Sequence, residues 1–315
     1  MTRSMEGVQG GLIARHRVSF SHLQTRVRVL VPVLMGQMAR PIMSIGDALA
    51  SLPGASGNLL ALVEIRSGRD NEVFAQDQRR RDMLHWVAGL DYSSEIRRRL
   101  SISLRMTANA ASSVRDAVAE SETTSLVLEW PTLVSPRRHG LSDLTRQLLR
   151  DGTTDVLFVR TRPRDQNVAI TPRSIVAAIR GGPSARAVAF TAAALADVFG
   201  SVLTLLHIQT DAQHPDRSRR EWHGFGEIVD ELNRPATIVT LRRREDPAAG
   251  ILEEAAGHDL VMLGSRQDPA RPNAIIGHDL YRMLRHLEAP VVMLKAKNAH
   301  QSLTTRANAV TGHDG

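Results

Sequence analysis

The sequence contains no cysteine, and this absence removes several kinds of chemistry at once. A disulfide framework, thiol catalysis and zinc held by cysteine are all excluded. Aromatic residues are scarce as well, with 3 Trp, 2 Tyr and 6 Phe in 315 residues. Single-stranded nucleic acid binds by stacking its bases on exposed rings, so we do not expect a nucleic-acid partner.

Long apolar runs are also lacking. No stretch approaches the roughly 20 apolar residues that cross a bilayer, so we expect no membrane span. The first residues have neither the apolar centre nor the cleavage site of a secretory signal, and we expect a cytoplasmic protein. With 42% hydrophobic and 23% charged residues, the composition is typical of a globular chain of about two domains.

Lysine is nearly missing, because Lys295 and Lys297 are the only lysines among 40 basic residues. The positive excess lies in the first half: residues 1–170 carry 23 basic and 17 acidic side chains, whereas residues 171–296 carry 15 of each. Triple-arginine runs lie at residues 79–81, 97–99 and 242–244. They are either solvated surface or a docking surface for an acidic partner.

In the second half, short apolar runs alternate with helical patterns. The runs are apolar throughout, which predicts strands buried on both faces of a parallel sheet. They span residues 174–179, 202–208, 236–241, 260–263 and 290–294. The helical segments span residues 185–199, 217–232, 248–258 and 277–287. This alternation predicts βαβ units and an α/β fold.

The first half repeats this order. Its predicted strands span residues 27–33, 59–65, 101–106, 126–128 and 156–159, and its predicted helices residues 41–52, 75–90, 113–121 and 141–150. Leu126 and Val156 are 30 residues apart, and Leu260 and Val291 are 31 apart. We therefore predict an internal duplication. The predicted divisions are a flexible leader 1–25, a first domain 26–162, a second domain 172–297 and a flexible tail 298–315.

Two segments of the second half resemble the universal stress protein family. Residues 258–296 read HDLVMLGSRQDPARPNAIIGHDLYRMLRHLEAPVVMLKA, with an apolar strand that ends in Gly-Ser, a later Gly at a helix start and a final apolar strand. Residues 180–193 read RGGPSARAVAFTAA and are similar to the family's first strand-to-helix turn. The resemblance covers residues 27–296. It implies two tandem, Rossmann-like (adenine-nucleotide α-hydrolase-like) domains of five parallel strands each, packed as a pseudo-dimer.

ATP-binding members of this family carry G-x2-G-x9-G-[ST] after the fourth strand. The glycines let the backbone wrap around phosphates, and the helix that follows offers free N–H groups. Here Gly264 and Gly277 hold the first and third positions, while Gln267 and His278 replace the second glycine and the Ser or Thr. The motif is thus partly kept in the second domain.

The first domain has lost more of the pattern. Leu34 stands where ATP-binding members have an Asp at the end of the first strand, and the second domain has Arg180 at that position. Glu129-Trp130 stands opposite Gly264-Ser265. A carboxylate and an indole obstruct a triphosphate by charge and by bulk, so we expect no nucleotide in the first domain.

The candidate site lies in the second domain, in the crevice beyond the carboxyl ends of its first and fourth strands. The resemblance implies that its lining residues are Arg180, Gly181, Ile208, Gly264, Ser265, Gly277 and His278. It also implies ATP or another adenine nucleotide as the ligand. Arg180 leaves two alternatives open. Its guanidinium either pairs with an acidic group elsewhere in the protein, or forms a site for a different small anion with the Gly181–Gly182 turn and the helix start at Gly277, to which Arg266 and Arg271 would add. No metal ligand is assigned, and His207 is interpreted as a satisfied interior histidine.

Standard catalytic motifs are missing from the sequence, including Walker A, GxSxG, SxxK, GxGxxG and HExxH. We therefore expect a non-catalytic stress-response or regulatory module that switches on a ligand, although weak ATP hydrolysis stays open. The alternative is a protein-interaction module with vestigial sites, which docks a transporter or another partner through its Arg-rich first domain. The expected partners are the internal pseudo-dimer, a further homodimer and another protein. An enzyme of the same fold would depend on Asp268 and His278.

Overall fold

The structure, a computed structural model, describes most of both predicted domains. The described residues are 27–34, 40–64, 78, 81–82, 84–86, 99–130, 154–162, 165, 168–179, 183–209, 215–234, 237–243, 246–265, 283–284 and 286–297. The leader 1–25, the tail 298–315 and the predicted helix 141–150 lie outside them.

In the described part of the chain, ten strands coincide with the ten apolar runs. In the first half they are β1 (Arg28–Leu34), β2 (Ser56–Glu64), β3 (Leu100–Thr107), β4 (Ser125–Glu129) and β5 (Asp155–Arg160). In the second half they are β6 (Ser174–Ala178), β7 (Val202–Gln209), β8 (Thr237–Arg243), β9 (Leu260–Gly264) and β10 (Val291–Lys295). The predicted strands are confirmed to within a few residues at each end.

Helices occupy the connections. They are α1 (Arg40–Ala50), α2 (Ala110–Glu120), α3 (Pro183–Phe199), α4 (Pro215–Leu232) and α5 (Pro247–Ala255). Asp246 caps α5, because its carboxylate accepts a hydrogen bond from the N–H of Ala248 at 2.9 Å. Helical residues are also described at 78, 81–82, 84–86, 283–284 and 286, inside two further predicted helices.

All ten strands form one sheet in the order β3-β2-β1-β4-β5-β10-β9-β6-β7-β8. Neighbours within each half are parallel, whereas β5 and β10 are antiparallel where the halves meet. Phe158 pairs with Met293 at the centre of that seam, and Arg160–Val291 and Val156–Lys295 pair at its ends. This arrangement is two-fold symmetric, and it confirms two five-stranded parallel units packed as a pseudo-dimer.

Both faces of the sheet carry a buried layer that continues across the seam. On one face, strand residues such as Val31, Leu157 and Leu294 pack with α1 and α3. On the other face, residues such as Phe158 and Met293 pack with α2 and α5. Since each layer contains side chains from both halves, separating the halves would expose apolar surface on both faces.

Polar contacts join the halves at the ends of the seam. The guanidinium of Arg160 donates to the carbonyl of Leu287 at 3.0 Å, and Arg162 forms an ion pair with Glu288 at 2.9 Å. The N–H of Lys297 donates to the Asp155 carboxylate at 2.7 Å. Burial raises the pKa of Asp155, and this hydrogen bond opposes the shift in part.

One expectation fails at the sheet margin. The apolar run at residues 236–241 predicts a strand buried on both faces, but in the corresponding strand β8 the side chains of Ile238 and Val239 are 51% and 45% exposed. The reason is the strand order, because among the described strands β8 is the outermost and pairs with β7 alone.

Candidate functional site

The candidate crevice lies at the carboxyl ends of β6 and β9. From β6 the chain continues through α3 to β7, and from β9 it continues in the opposite direction to β10. The two connections cover opposite faces, since α3 belongs to one buried layer and Met283, Leu284 and Leu287 belong to the other. Such a switch point opens a crevice beyond the sheet, where ligands of α/β proteins bind.

Gly264 ends β9 at a place where helix α3 comes very close. A Cβ atom at this position would lie 3.3 Å from Cγ2 of Val188 and 3.7 Å from Cβ of Ser184. A larger side chain would therefore press on the first turns of α3. The glycine brings the helix start and the strand end together to form the base of the crevice.

Two buried hydroxyl groups border this glycine. Ser184, in the first turn of α3, is 9% exposed, and Ser265, directly after Gly264, is 6% exposed. Neither hydroxyl has a hydrogen-bond partner among the residues that the structure describes. A buried polar group without a partner costs about 1–3 kcal/mol, so two of them beside one crevice require an explanation.

The other flank of β6 is formed by β7. Ile208, one of the predicted lining residues, is buried near the end of β7 and belongs to the layer that also contains Leu263. Because β6 lies between β7 and β9, Ile208 and Gly264 are separated by two strand spacings, about 10 Å.

His207 is a satisfied interior histidine, as predicted. It is 1% exposed, and its Nδ1 lies 2.9 Å from the carbonyl oxygen of Ile179. A carbonyl only accepts, so Nδ1 carries the proton in this hydrogen bond. The ring lies 5.0 Å from Phe225 and 5.9 Å from Trp222, centroid to centroid. This aromatic group was missed, although the three-residue spacing of Trp222 and Phe225 on one helix face could have signalled it.

The predicted lining residues thus divide into two sets. Ile208, Gly264 and Ser265 are found at the carboxyl edge of the sheet, while Arg180, Gly181, Gly277 and His278 lie outside the described residues and stay predictions. Sequence reasoning missed Ser184. The available signal was Pro183 at the first helical position after two glycines, which fixes where α3 begins.

The corresponding edge of the first half is filled. Glu129 pairs with Val159 in the same register that joins Gly264 to Leu294. The N–H of Trp130 donates to the carbonyl of Val159 at 2.7 Å, and its ring packs edge-on against Phe158 at 5.7 Å. The large side chain thus lies over the seam at the position that Ser265 holds in the second half.

Within the described ranges, His, Asp and Glu side chains form no group of three or more that could hold a metal ion. Among the helices that the structure describes, none has the length and apolarity to span a bilayer.

Comparison with known proteins identifies the second half. Residues 172–295 match the universal stress protein family. They form a universal stress protein domain. No curated protein matches the chain.

Solved structures share the fold over both halves. A universal stress protein from Archaeoglobus fulgidus DSM 4304 is 14% identical, with a TM-score of 0.56 over 86% of this chain and 97% of that one. A putative universal stress protein from Pseudomonas aeruginosa UCBPP-PA14 is 15% identical, with a TM-score of 0.53 over 91% and 99%. The cytoplasmic domain of a prokaryotic cation chloride cotransporter is 13% identical, with a TM-score of 0.54 over 89% and 100%. At these identities the likeness is one of fold.

Proposed function

We propose that this chain is a non-catalytic regulatory module of the universal stress protein type, and that it responds to an adenine nucleotide or another small anionic ligand bound by its second half. The observation that carries the proposal is the contrast at the carboxyl edge. The second half has Gly264 and two partnerless hydroxyls there, whereas the first half has Glu129 and Trp130.

Binding of a ligand in this crevice would stabilise the pseudo-dimer as well as the crevice. A ligand that contacts both the start of α3 and the end of β9 holds together two elements of the shared buried layers. Any ligand that binds only the folded state stabilises it in proportion to the logarithm of its concentration. The described walls contribute hydroxyl groups and main-chain groups, which suit binding rather than proton transfer, so the response would be a change in pseudo-dimer stability.

Thermal unfolding with millimolar ATP, ADP, AMP and cyclic nucleotides tests this proposal. A ligand at 100 times its Kd adds about 2.7 kcal/mol, which raises the midpoint by several degrees. The shift should disappear in Gly264→Glu and persist in Trp130→Ser, which changes the matched position of the other half. Release of inorganic phosphate from ATP should stay at background. Absence of a shift with all of these ligands and with simple anions would contradict the proposal.

A second function is favoured by one comparison. The fold likeness to a cotransporter cytoplasmic domain covers 100% of that domain, and the positive excess of this chain lies in its first half. We propose as the alternative that the Arg-rich first half docks on a transporter or another protein with an acidic surface. Electrostatic docking of this kind weakens as salt rises.

Sedimentation with native membrane vesicles separates the two functions. Under the docking proposal the protein pellets with vesicles at low salt, and it stays in the supernatant after protease treatment of the vesicles. Reversing charges at 97–99 to glutamate should abolish pelleting, while Gly264→Glu should leave it intact. Pelleting that is insensitive to both the protease and the charge reversal would argue against docking.

A further inference from the structure

Strand β3 lies at one end of the sheet and carries an exposed apolar stripe. Ile102, Leu104 and Met106 are 41%, 38% and 37% exposed. Their spacing of two residues directs all three side chains to one face of the strand. Ile102 pairs in register with Leu59, which belongs to the buried layer that packs with α1. The stripe is therefore an outward continuation of that layer.

The outer edge of β3 also offers main-chain groups for pairing. Among the described strands, β3 pairs with β2 alone, and it does so without interruption over all eight residues. The N–H and C=O groups of alternate residues then point away from the sheet. Prolines, bulges and free charges commonly block such an edge. β3 has no proline and no bulge, and its one charged side chain, Arg105, forms an ion pair with Glu120 of α2.

The outer strand of the second half, β8, is less suited to pairing. Its exposed residues Ile238 and Val239 are adjacent in sequence, so they point to opposite faces and form no stripe. β8 also ends in Arg242 and Arg243, and positive charges on an edge oppose pairing with another chain of net charge +7. β3 has no acidic residue that could match these arginines. The edges therefore favour pairing of β3 with a second β3.

Two copies of β3 are complementary to each other. When identical strands pair antiparallel around a two-fold axis perpendicular to the sheet, the stripe of one copy meets the stripe of the other. An axis at Ser103 places Arg105 opposite Ser101 of the second copy, and an axis at Leu104 places Arg105 opposite Ser103 of the second copy. In both registers apolar side chains lie opposite apolar ones, and like charges do not meet.

The seam inside the chain is a pairing of the same kind. β5 and β10 are antiparallel, with Phe158 opposite Met293 at the centre and a basic residue at the end of each strand. β3 likewise has apolar residues at its centre, and Arg99 precedes it. An ion pair of 3.6 Å joins Arg99 to Asp47 of α1, so this positive charge is balanced within its own chain.

We propose that two copies of this chain pair through antiparallel β3 strands and join their ten-stranded sheets into one. The contact is isologous, so it uses the β3 edge of both copies and leaves β8 as the outer strand at each end. Association therefore stops at a dimer. The crevice between β6 and β9 lies beyond the seam in each copy, so pairing leaves it uncovered.

Analytical ultracentrifugation of the full chain tests the proposal. We expect a reversible dimer of twice the 34.6 kDa of the chain and no larger species. Ile102→Lys should weaken the dimer about tenfold or more, because it places a charge in the apolar stripe. Val239→Lys changes the matching and similarly exposed residue of β8 and should dimerise as the wild type does. A wild type that is monomeric at every concentration, or equal weakening by both substitutions, would overturn the proposal.

Single cysteines give a second readout that does not depend on a lysine at the edge. The chain has no cysteine, so Leu104→Cys and Val239→Cys each introduce one thiol. A short bis-maleimide reagent should link two copies of Leu104→Cys, since position 104 lies within two residues of itself across either axis, and it should leave Val239→Cys unlinked. Linking that is absent from Leu104→Cys, or equal in the two variants, would contradict pairing through β3.

The salt dependence separates this dimer from the electrostatic docking proposed above. Each copy carries a net charge of +7, and salt screens the repulsion between copies. Raising sodium chloride from about 0.05 M to about 0.5 M should therefore leave the dimer as tight or make it tighter, whereas docking on an acidic partner should weaken. A dimer that dissociates as salt rises would be held by charge, and the proposal would fail.

Discussion

At the carboxyl edge of the sheet, Gly264 and Ser265 of the second half lie where Glu129 and Trp130 lie in the first half. The main chain makes the same hydrogen bond in both places. The N–H of Ser265 donates to Leu294 at 2.8 Å, and the N–H of Trp130 donates to Val159 at 2.7 Å. The strand ends are therefore fixed by backbone hydrogen bonds, and the side chains there are free to differ between a crevice and a filled surface.

At the opposite edge of the sheet, the residues differ between the halves but the hydrogen bonds they make agree. In the second half, the carboxylate of Asp259 accepts hydrogen bonds from the N–H groups of Arg173 at 2.9 Å and Ser174 at 3.1 Å. In the first half, the hydroxyl of Thr124 accepts from the N–H of Arg28 at 2.9 Å. Different residues thus make the same tie between neighbouring strands. The halves agree where the sheet is assembled and differ where ligands of this fold bind, and the proposed function depends on that difference.

Replacing Trp130 with Ser gives the first half the residue that the second half has at the matching position. We expect this substitution to cause the largest loss in the free energy of unfolding. The substitution removes a large ring that packs against Phe158 at the centre of the seam. We expect a loss of about 2–4 kcal/mol, below the figure for a fully buried Trp because this one is half-buried. Urea denaturation measures it. A loss below about 1 kcal/mol would show that the ring does not contribute to the seam.

Gly46→Ala tests the packing between the first helix and the first strand of the first half, where a glycine on the helix faces a valine on the strand. A Cβ atom on Gly46 would lie 2.3 Å from Cγ2 of Val31, so α1 or β1 must move. The matching strand position of the second half is Ala177, which has no γ carbons. We expect a loss of about 1–3 kcal/mol from overpacking, measured by urea denaturation.

The double variant Val31→Ala/Gly46→Ala is the control for that prediction. It should be more stable than the sum of the two single losses implies, because the alanine at 31 makes room for the one at 46. Strict additivity of the two losses would show that the clash is relieved in another way.

Asp259→Asn should have the smallest effect and a distinct pH dependence. The pKa of Asp259 is lowered, first by the hydrogen bond from the N–H of Arg173, so its folded-state pKa lies below the unfolded value of about 3.9. Its contribution is then complete above that unfolded pKa and is lost as the pH falls through the folded pKa. The carboxylate is exposed, so we expect a loss of only about 1 kcal/mol at pH 7.

Thr124→Ala is the matched variant in the first half. Its hydroxyl does not titrate in this range, so its loss should be the same at pH 7 and at pH 3, whereas the loss in Asp259→Asn should shrink toward zero at the lower pH. Thermal unfolding at both pH values measures the difference. Parallel pH profiles for the two variants would refute the account of the Asp259 pKa.

Much of the fold could be predicted from the sequence, because buried parallel strands leave continuous apolar runs that repeat in order. The exposure of Ile238 and Val239 could not, since it depends on which strand lies outermost. Gly264 and Ser265 were predicted as site residues from a family motif. Ser184 could not be found in that way, because the lack of a hydroxyl partner depends on how closely α3 packs over β9.

The number of ligands that each chain binds tests directly whether only the second half binds a ligand. Isothermal titration calorimetry measures this number with whichever nucleotide or phosphate shifts the unfolding midpoint. If binding is confined to the second half, the wild type and Trp130→Ser should each bind one ligand per chain, and Gly264→Glu should bind none. Two ligands per chain, or one that survives in Gly264→Glu, would contradict the claim that binding is confined to the second half.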